Sequence, residues 1–313
     1  MGITDRIDAV TKIAPAYLHA VLPPPCSVKV ELTARCNYAC SYCARSLRLR
    51  NQNDMERALF ERIAVDIRKA GVEELGLFYL GESFMVPWLA DAVAHAKAAG
   101  FPYVFLTTNG SLATPEKVSA CMKAGLDSLK FSFNYADEVQ FAAVTGVKDA
   151  YFRRSIEHIK GAHKARAEGG YKTGLYASYI AYDGEQGARM QAAVDEILPF
   201  VDEVYALPLY NQAGFAAAEE QASGWKPTAG NRGRLGALRD PLPCWAVFTE
   251  GHVTWEGKLS ACCFDHDGRF HMGDLKTQSF MEAWNSAAYQ TLRAAHLKKD
   301  VAGTPCENCV AYQ

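Results

Sequence analysis

The sequence predicts an α/β fold built on a parallel sheet with a smaller module attached, and three observations carry that prediction. Strand-like apolar runs alternate with helical patterns between residues 28 and 207. The first run, Val28 to Leu32, leads into a loop dense in cysteine, Cys36-Asn37-Tyr38-Ala39-Cys40-Ser41-Tyr42-Cys43. Beyond residue 213 the alternation stops, and a second group of cysteines follows on a hairpin-like pattern and a terminal CxxC. Strand, helix, strand repeated in this way implies parallel strands joined by right-handed crossovers. Functional groups in such folds gather at the carboxyl ends of the strands.

Composition narrows the class. With 313 residues, 49% of them hydrophobic, the chain can bury one large core plus an appended module. A net charge of −2 makes no electrostatic case for nucleic acid or an anionic membrane as partner. No secretion signal opens the chain, and no apolar run reaches the ~18 residues of a membrane span; a soluble, cytoplasmic protein is expected. Ten cysteines, clustered and without a signal peptide, read as metal binding in a reducing compartment rather than as disulfides.

Taken in order, residues 3–21 carry Ile3, Ile7, Val10, Ile13 and Tyr17 at helical spacing, predicting an amphipathic helix that ends before Pro23-Pro24-Pro25. Strands are expected at 28–32, 75–80, 103–107, 128–133, 174–181 and 202–207, with helices near 54–70, 87–99, 115–124, 150–168 and 186–198. Residues 213–243 mix Gly, Pro, Ala and charges without period and read as a bridging loop. The expected organisation is therefore an N-terminal helix (1–25), the α/β body (26–212), the bridge (213–243) and a C-terminal module (244–313).

The chemistry begins at the cysteine loop. Cys36, Cys40 and Cys43 stand at CxxxCxxC spacing. Soft thiolates select iron–sulfur clusters, zinc or copper(I). Three ligands fall short of the four a closed structural zinc site wants; they suit a [4Fe-4S] cluster with one iron open to a small molecule. Later strand ends carry polar groups: Gly81-Glu82 after the second, Thr107-Thr108-Asn109-Gly110 after the third. On the fourth strand, alternation puts Lys130, Ser132 and Asn134 on one face, toward the interior. Bland readings stand beside these: Glu82 as an acid at a helix start, Asn109-Gly110 as a simple turn, buried water as the partner of the inward polar face.

CxxxCxxC with aromatic Tyr42 before the last cysteine resembles the radical S-adenosylmethionine (radical SAM) superfamily. The resemblance implies a partial (β/α)6 TIM-like barrel. In that family the open iron binds SAM, and the reduced cluster splits it to a 5′-deoxyadenosyl radical that abstracts a hydrogen atom from the substrate. Carried over, the resemblance implies SAM contacts at Tyr42, Gly81, Glu82, Thr108, Asn109, Lys130, Ser132 and Asn134. Leu80 stands where the family's Gly-Gly-Glu motif has its first glycine. Arg45, Arg48 and Arg50 read as surface or cluster-flanking charges.

Cys244, Cys262, Cys306 and Cys309 form a complete four-thiolate set, able to hold either zinc or a fully ligated [4Fe-4S] cluster. The run from Cys244 through Gly257 to Cys262 resembles the C-x9–15-G-x4-C opening of SPASM and twitch extensions, as do Met272-Gly273-Asp274-Leu275 and Ala283-Trp284-Asn285-Ser286. No cysteine lies between Cys263 and Cys306, so one auxiliary [4Fe-4S] cluster is expected. Cys26 and Cys121 read as ordinary buried thiols. Cys263 follows a ligand directly, and on a strand its side chain faces away from that of Cys262; it either packs or serves as a thiol hydrogen donor at the barrel mouth. Asp265, His266 and Asp267 orient a polar substrate or solvate a loop.

The family chemistry leads to several outcomes. A small hydroxylated substrate (sugar, aminoglycoside or cyclitol) is epimerised with Cys263 as donor, or dehydrogenated, as in the twitch-type alcohol dehydrogenases the chain resembles. Maturation of a ribosomal peptide, by epimerisation or crosslinking, is the alternative, disfavoured at this stage by the short segment before the first strand. A zinc or iron–sulfur structural or electron-transfer protein is the non-enzymatic alternative. A flavodoxin- or ferredoxin-type reductant is the expected protein partner.

Overall fold

The computed structural model describes residues 2–215 and 233–309, so most of the expected bridge lies outside the described residues. Six strands run parallel and pair in chain order: β1 (Ser27–Val30), β2 (Glu74–Gly76), β3 (Tyr103–Thr108), β4 (Ser128–Ser132), β5 (Gly174–Ile180) and β6 (Glu203–Leu207). Each follows an expected run, but β2 is only three residues long, because the chain turns at Leu77 into the Gly81-Glu82 loop. Five of the connecting helices match expectation: α2 (Arg57–Lys69), α3 (Leu89–Ala98), α4 (Pro115–Lys123), α6 (Ala150–Gly169) and α7 (Gly184–Ile197). On α2, Phe60, Ile63, Ala64 and Ile67 are buried at i, i+3, i+4, i+7, the stripe that packs a helix on a sheet.

The C-terminal module does not stand apart from the barrel. Its first strand, β7 (Glu250–Val253), pairs parallel with β1, pairing Lys29 with His252. Two antiparallel strands, β8 (Lys258–Ser260) and β9 (His271–Asp274), continue outward, giving one nine-stranded sheet in the order β6-β5-β4-β3-β2-β1-β7-β8-β9. The sheet stays open, with β6 and β9 at its edges. Helices α8 (Phe280–Trp284) and α9 (Ala287–Leu297) close the module, the first through a Ser279–Glu282 capping box.

The expected 3–21 helix is shorter. Helix α1 covers Ile3–Thr11, Lys12 is extended, and a 3-10 turn follows at Pro15–Tyr17. Pro15 is the reason: the residue before a proline is pushed out of the α region, and Ala14 sits at φ −70°, ψ 153°. What remains closes the amino end of the barrel. Ile3 N–H and the Thr4 hydroxyl donate to Glu203 at the start of β6, and Arg6 pairs with Glu74 at the start of β2 while its guanidinium lies 3.2 Å from the Tyr103 ring centroid. No helix among the described residues is long and apolar enough to cross a membrane.

One helix, α5 (Glu138–Thr145), has no counterpart in the sequence reading. Its signals are present: Asp137 caps it by accepting from Gln140 N–H at 2.8 Å, and Gly146 ends it at φ +69°.

Candidate active site

The cysteine loop leaves the carboxyl end of β1 and is pinned from two sides. Arg35 forms a two-bond pair with Asp54 at 2.8 and 2.6 Å, and Ala39 and Ser41 donate backbone N–H groups to Thr145 and Val144 at the end of α5. Arg45 donates to the Tyr38 carbonyl inside the loop. Arg50 is no surface charge: it pairs at 2.5 Å with Glu31, which is fully buried. Polar side chains reach two of the sulfurs. Asn109 Nδ2 lies 3.7 Å from Cys36 Sγ, and Tyr135 Oη lies 3.3 Å from Cys40 Sγ. Burial pushes the Cys36 thiol to about 11, the Cys40 thiol to about 12 and the Cys43 thiol upward. Three half-buried thiols whose ionisation is opposed in this way are held as thiolates when a strong positive charge binds them.

Glu82 ties the neighbouring strand ends together. Its buried carboxylate accepts from Phe84 N–H at 3.1 Å, the Thr108 hydroxyl at 2.8 Å and Asn109 N–H at 2.7 Å. Burial raises its pKa, and those three bonds oppose the rise. Gly81 is required by the protein itself: a Cβ there would stand 2.1 Å from the Thr33 carbonyl oxygen and 2.7 Å from that of Arg35. The close backbone approach that a glycine permits is made here to the cysteine loop. Beside the loop, Asn134 Nδ2 donates to Tyr42 Oη at 3.0 Å, and its Oδ1 is buried with no hydrogen-bond partner among the described residues. Ser132 lies two residues before it on β4.

Lys130 does not join this group. It points inward, as alternation requires, but lower in the barrel, where it borders a cavity of about 310 Å³ running from α1 to Tyr79, Tyr210 and Cys263. Opposite it, Glu250 Oε2 accepts from Lys29 Nζ at 2.8 Å and from His252 Nε2 at 2.9 Å. A closed barrel fills this space with branched apolar layers; here the inward positions carry charge.

In the second cysteine group, β8 stops at Ser260 and Cys262 and Cys263 fall in the turn beyond it. Alternation therefore does not separate them. Their thiols are hydrogen-bond neighbours, and Phe264 N–H also donates to Cys262 Sγ at 3.3 Å. Burial pushes the Cys244 thiol far up, reinforced by Cys306, Cys263 and Cys309 close by. Five sulfurs thus gather where four were expected. His296 links two of them. Its Nδ1 accepts from Cys244 N–H at 3.1 Å, which places the ring proton on Nε2, 3.4 Å from Cys306 Sγ. Burial lowers its pKa to about 4, so the ring is neutral. Sequence reasoning passed over His296 because a lone histidine in a helix announces nothing. Asp265 and His266 neither solvate a loop nor face outward: both are buried, Asp265 on Ser260 Oγ at 2.8 Å and His266 on Gln212 at 2.9 Å.

The sequence model of the radical SAM superfamily matches residues 30–195, more than half of the chain. The chain belongs to the radical SAM superfamily. A second model, the SPASM iron–sulfur cluster-binding domain, matches residues 244–310. Solved structures share the fold. BtrN in complex with AdoMet and 2-DOIA superposes with a TM-score of 0.60 at 15% identity, over 91% of this chain and 92% of that one. Streptococcus suis SuiB bound to precursor peptide SuiA gives 0.67 at 13% identity, over 94% and 71%. Polyhistidine-tagged anSMEcpe with bound AdoMet gives 0.52 at 13%, over 88% and 81%.

For a radical SAM chain with a SPASM domain the cofactors are a [4Fe-4S] cluster, SAM and auxiliary iron–sulfur ligation. The residues present fit them. Cys36, Cys40 and Cys43 form no disulfide, and the buried, unpartnered Asn134 Oδ1 offers an acceptor to a ligand hydroxyl or amine. Among the described residues no three His, Cys, Asp or Glu side chains converge closely enough to hold one metal ion. A four-iron cube takes each thiolate at a separate corner and needs no such convergence.

Proposed function

We propose that this radical SAM protein removes a hydrogen atom from a small polyhydroxylated substrate, a sugar, aminoglycoside or cyclitol, and inverts that carbon with Cys263 as hydrogen donor. The observation that carries the reading is Cys263 in the wall of the barrel cavity, together with Tyr79, Thr107 and Tyr210. At about 310 Å³ the cavity is at the lower end of small-ligand sites. The 2-DOIA bound in the BtrN complex and the near-equal coverage of both chains support the same class.

Cys36, Cys40 and Cys43 would hold the cluster, which together with SAM would supply the hydrogen-abstracting chemistry. Glu82 holds the Thr108–Asn109 turn against the cysteine loop, and Asn109 and Tyr135 place hydrogen-bond donors on Cys36 and Cys40. Tyr42 and Asn134 form one wall of the SAM site. Cys244, Cys262, Cys306 and Cys309 hold the auxiliary cluster. When Cys263 quenches the substrate radical, its S–H bond breaks and a C–H bond forms on the opposite face. The sulfur radical left behind takes one electron and one proton, the electron from the flavodoxin- or ferredoxin-type reductant.

The test is Cys263→Ala, reconstituted anaerobically with SAM, reductant and a panel of glycosides and cyclitols, beside wild type in deuterated water. Deuterium at one carbon with wild type, and deoxyadenosine without epimer from the variant, is the expected result. A two-electron-oxidised product from both proteins would replace epimerisation by dehydrogenation, and turnover of a peptide alone would replace the substrate class. Because Cys263 also stands beside Cys244 and Cys262, iron is counted in the same variant. Loss of about one cluster's iron would make Cys263 a ligand instead. Cys36→Ala is expected to abolish deoxyadenosine formation, whereas Cys244→Ala leaves it and loses product.

A further inference from the structure

We propose that the barrel cavity binds its substrate through an oxyanion, a carboxylate or a phosphate ester, with Lys130 as the anchor. The proposal deepens the reading above and rests on it for the nature of the site. Among the described residues four cationic side chains line the cavity: Arg6, Lys29, Lys130 and Arg234. Three already have carboxylate partners, Arg6 on Glu74 at 2.5 Å, Lys29 on Glu250 at 2.8 Å and Arg234 on Asp8 at 3.0 Å. Lys130 has none among the described residues. Its Nζ lies 5.9 Å from the Tyr205 ring centroid, and the nearby carboxylate, Glu250, already accepts from both Lys29 and His252 on one oxygen.

Among the described residues the cavity therefore carries one ammonium without a carboxylate in contact, Glu250 acting on it only from a distance. A buried charge without a partner is costly, and a fold keeps one where something that comes and goes supplies the counter-charge. Burial draws the Lys130 amine down to about 8, with Lys29 reinforcing it, so it is still protonated at neutral pH and has the more to gain from an anion. Thr107, paired with Lys130 across β3 and β4, lines the same cavity and adds a hydroxyl suited to one of an oxyanion's remaining lone pairs. The lysine stem reaches from β4 across to the cavity, and α1 closes the amino end, so the anion is held at the base with the rest of the molecule directed toward Cys263.

The experiment is calorimetric titration of the full-length, anaerobically reconstituted protein with SAM present, at constant ionic strength. The probes are glucose, glucose 6-phosphate, glucuronate, inorganic phosphate and acetate. At least one anionic probe is expected to bind ten times more tightly than glucose, and the sugar pair tells phosphate from carboxylate. Lys130→Met, close in size and uncharged, is expected to lose that preference tenfold or more, and Lys130→Arg to keep it. Equal binding of glucose and the anions, no binding by any anion, or an undiminished preference in Lys130→Met overturns the proposal. Loss of SAM affinity in Lys130→Met in place of the anion preference overturns it in favour of a cofactor contact. Deoxyadenosine is measured on the same samples. Its absence from wild type defeats the radical reading alone, and its presence without anion preference defeats this inference alone.

Discussion

Replacing Glu250 by Gln tests the charge arrangement inside the barrel directly. The Glu250 side chain is 5% exposed and accepts from Lys29 and His252 on the same oxygen. Burial opposes its ionisation, yet Lys29 and His252 hold the carboxyl down at about 2, against an ordinary value of 4.5. At ~1.4 kcal/mol per pH unit, that interval corresponds to about 3 kcal/mol of stability. A depressed carboxyl stabilises the fold fully above 4.5 and loses that contribution as pH falls toward 2, so neutral pH sees all of it. Glu250→Gln removes it and leaves the Lys29 ammonium buried without an anion, a change that costs about 3–5 kcal/mol. Urea unfolding of the reconstituted protein at pH 7, followed by tryptophan fluorescence, measures the loss. The Lys29→Met, Glu250→Gln double variant is expected to recover most of it, because no unpaired charge remains. A single-variant loss under about 1 kcal/mol, or a double variant no better than the single, would refute the reasoning.

Other changes test the rest of the site. Lys130 is depressed by burial to about 8 from 10.5, so its penalty is full below pH 8 and vanishes by 10.5; wild type should gain up to ~3 kcal/mol relative to Lys130→Met across that interval, and parallel pH curves would contradict this. Gly81→Ala drives a Cβ into the Thr33 and Arg35 carbonyls, so it should lower the thermal midpoint and weaken SAM binding together; a wild-type midpoint would mean that the loop yields. Glu82→Gln offers one acceptor oxygen to three donors and should weaken SAM binding about tenfold or more by calorimetry. His296→Leu removes an N–H···S bond to Cys306, so the auxiliary cluster's midpoint potential should fall in an EPR-monitored titration while iron content holds. An unchanged potential would reduce His296 to packing.

Much of this protein is determined by short-range pattern. Period-two and period-3.6 apolar spacing placed the six barrel strands and five of their helices, because the same burial that stabilises each element imposes its period. CxxxCxxC and the later CxxC stand out because loops of a few residues can bring thiols together, and Glu82 and Asn109 because strand ends follow the strands. The end of α1 and the presence of α5 were legible in principle, through Pro15, Asp137 and Gly146.

Only the tertiary structure decided which partners these residues meet. Nothing local in Glu250 or His252 announces that β7 joins β1 and brings both beside Lys29, residues more than two hundred positions away. Nothing local in Gly81 announces that the Thr33 and Arg35 carbonyls of the cysteine loop pack against it. Cys262 and Cys263 looked opposed until β8 ended two residues earlier. Lys130 carried the right alternation, but alternation gives a face and not a depth, and depth in a barrel is set by strand register. Spacing along the chain determines what a segment can become; which buried charges face one another is settled by pairing between distant strands, where the energy of the contact does not depend on sequence separation.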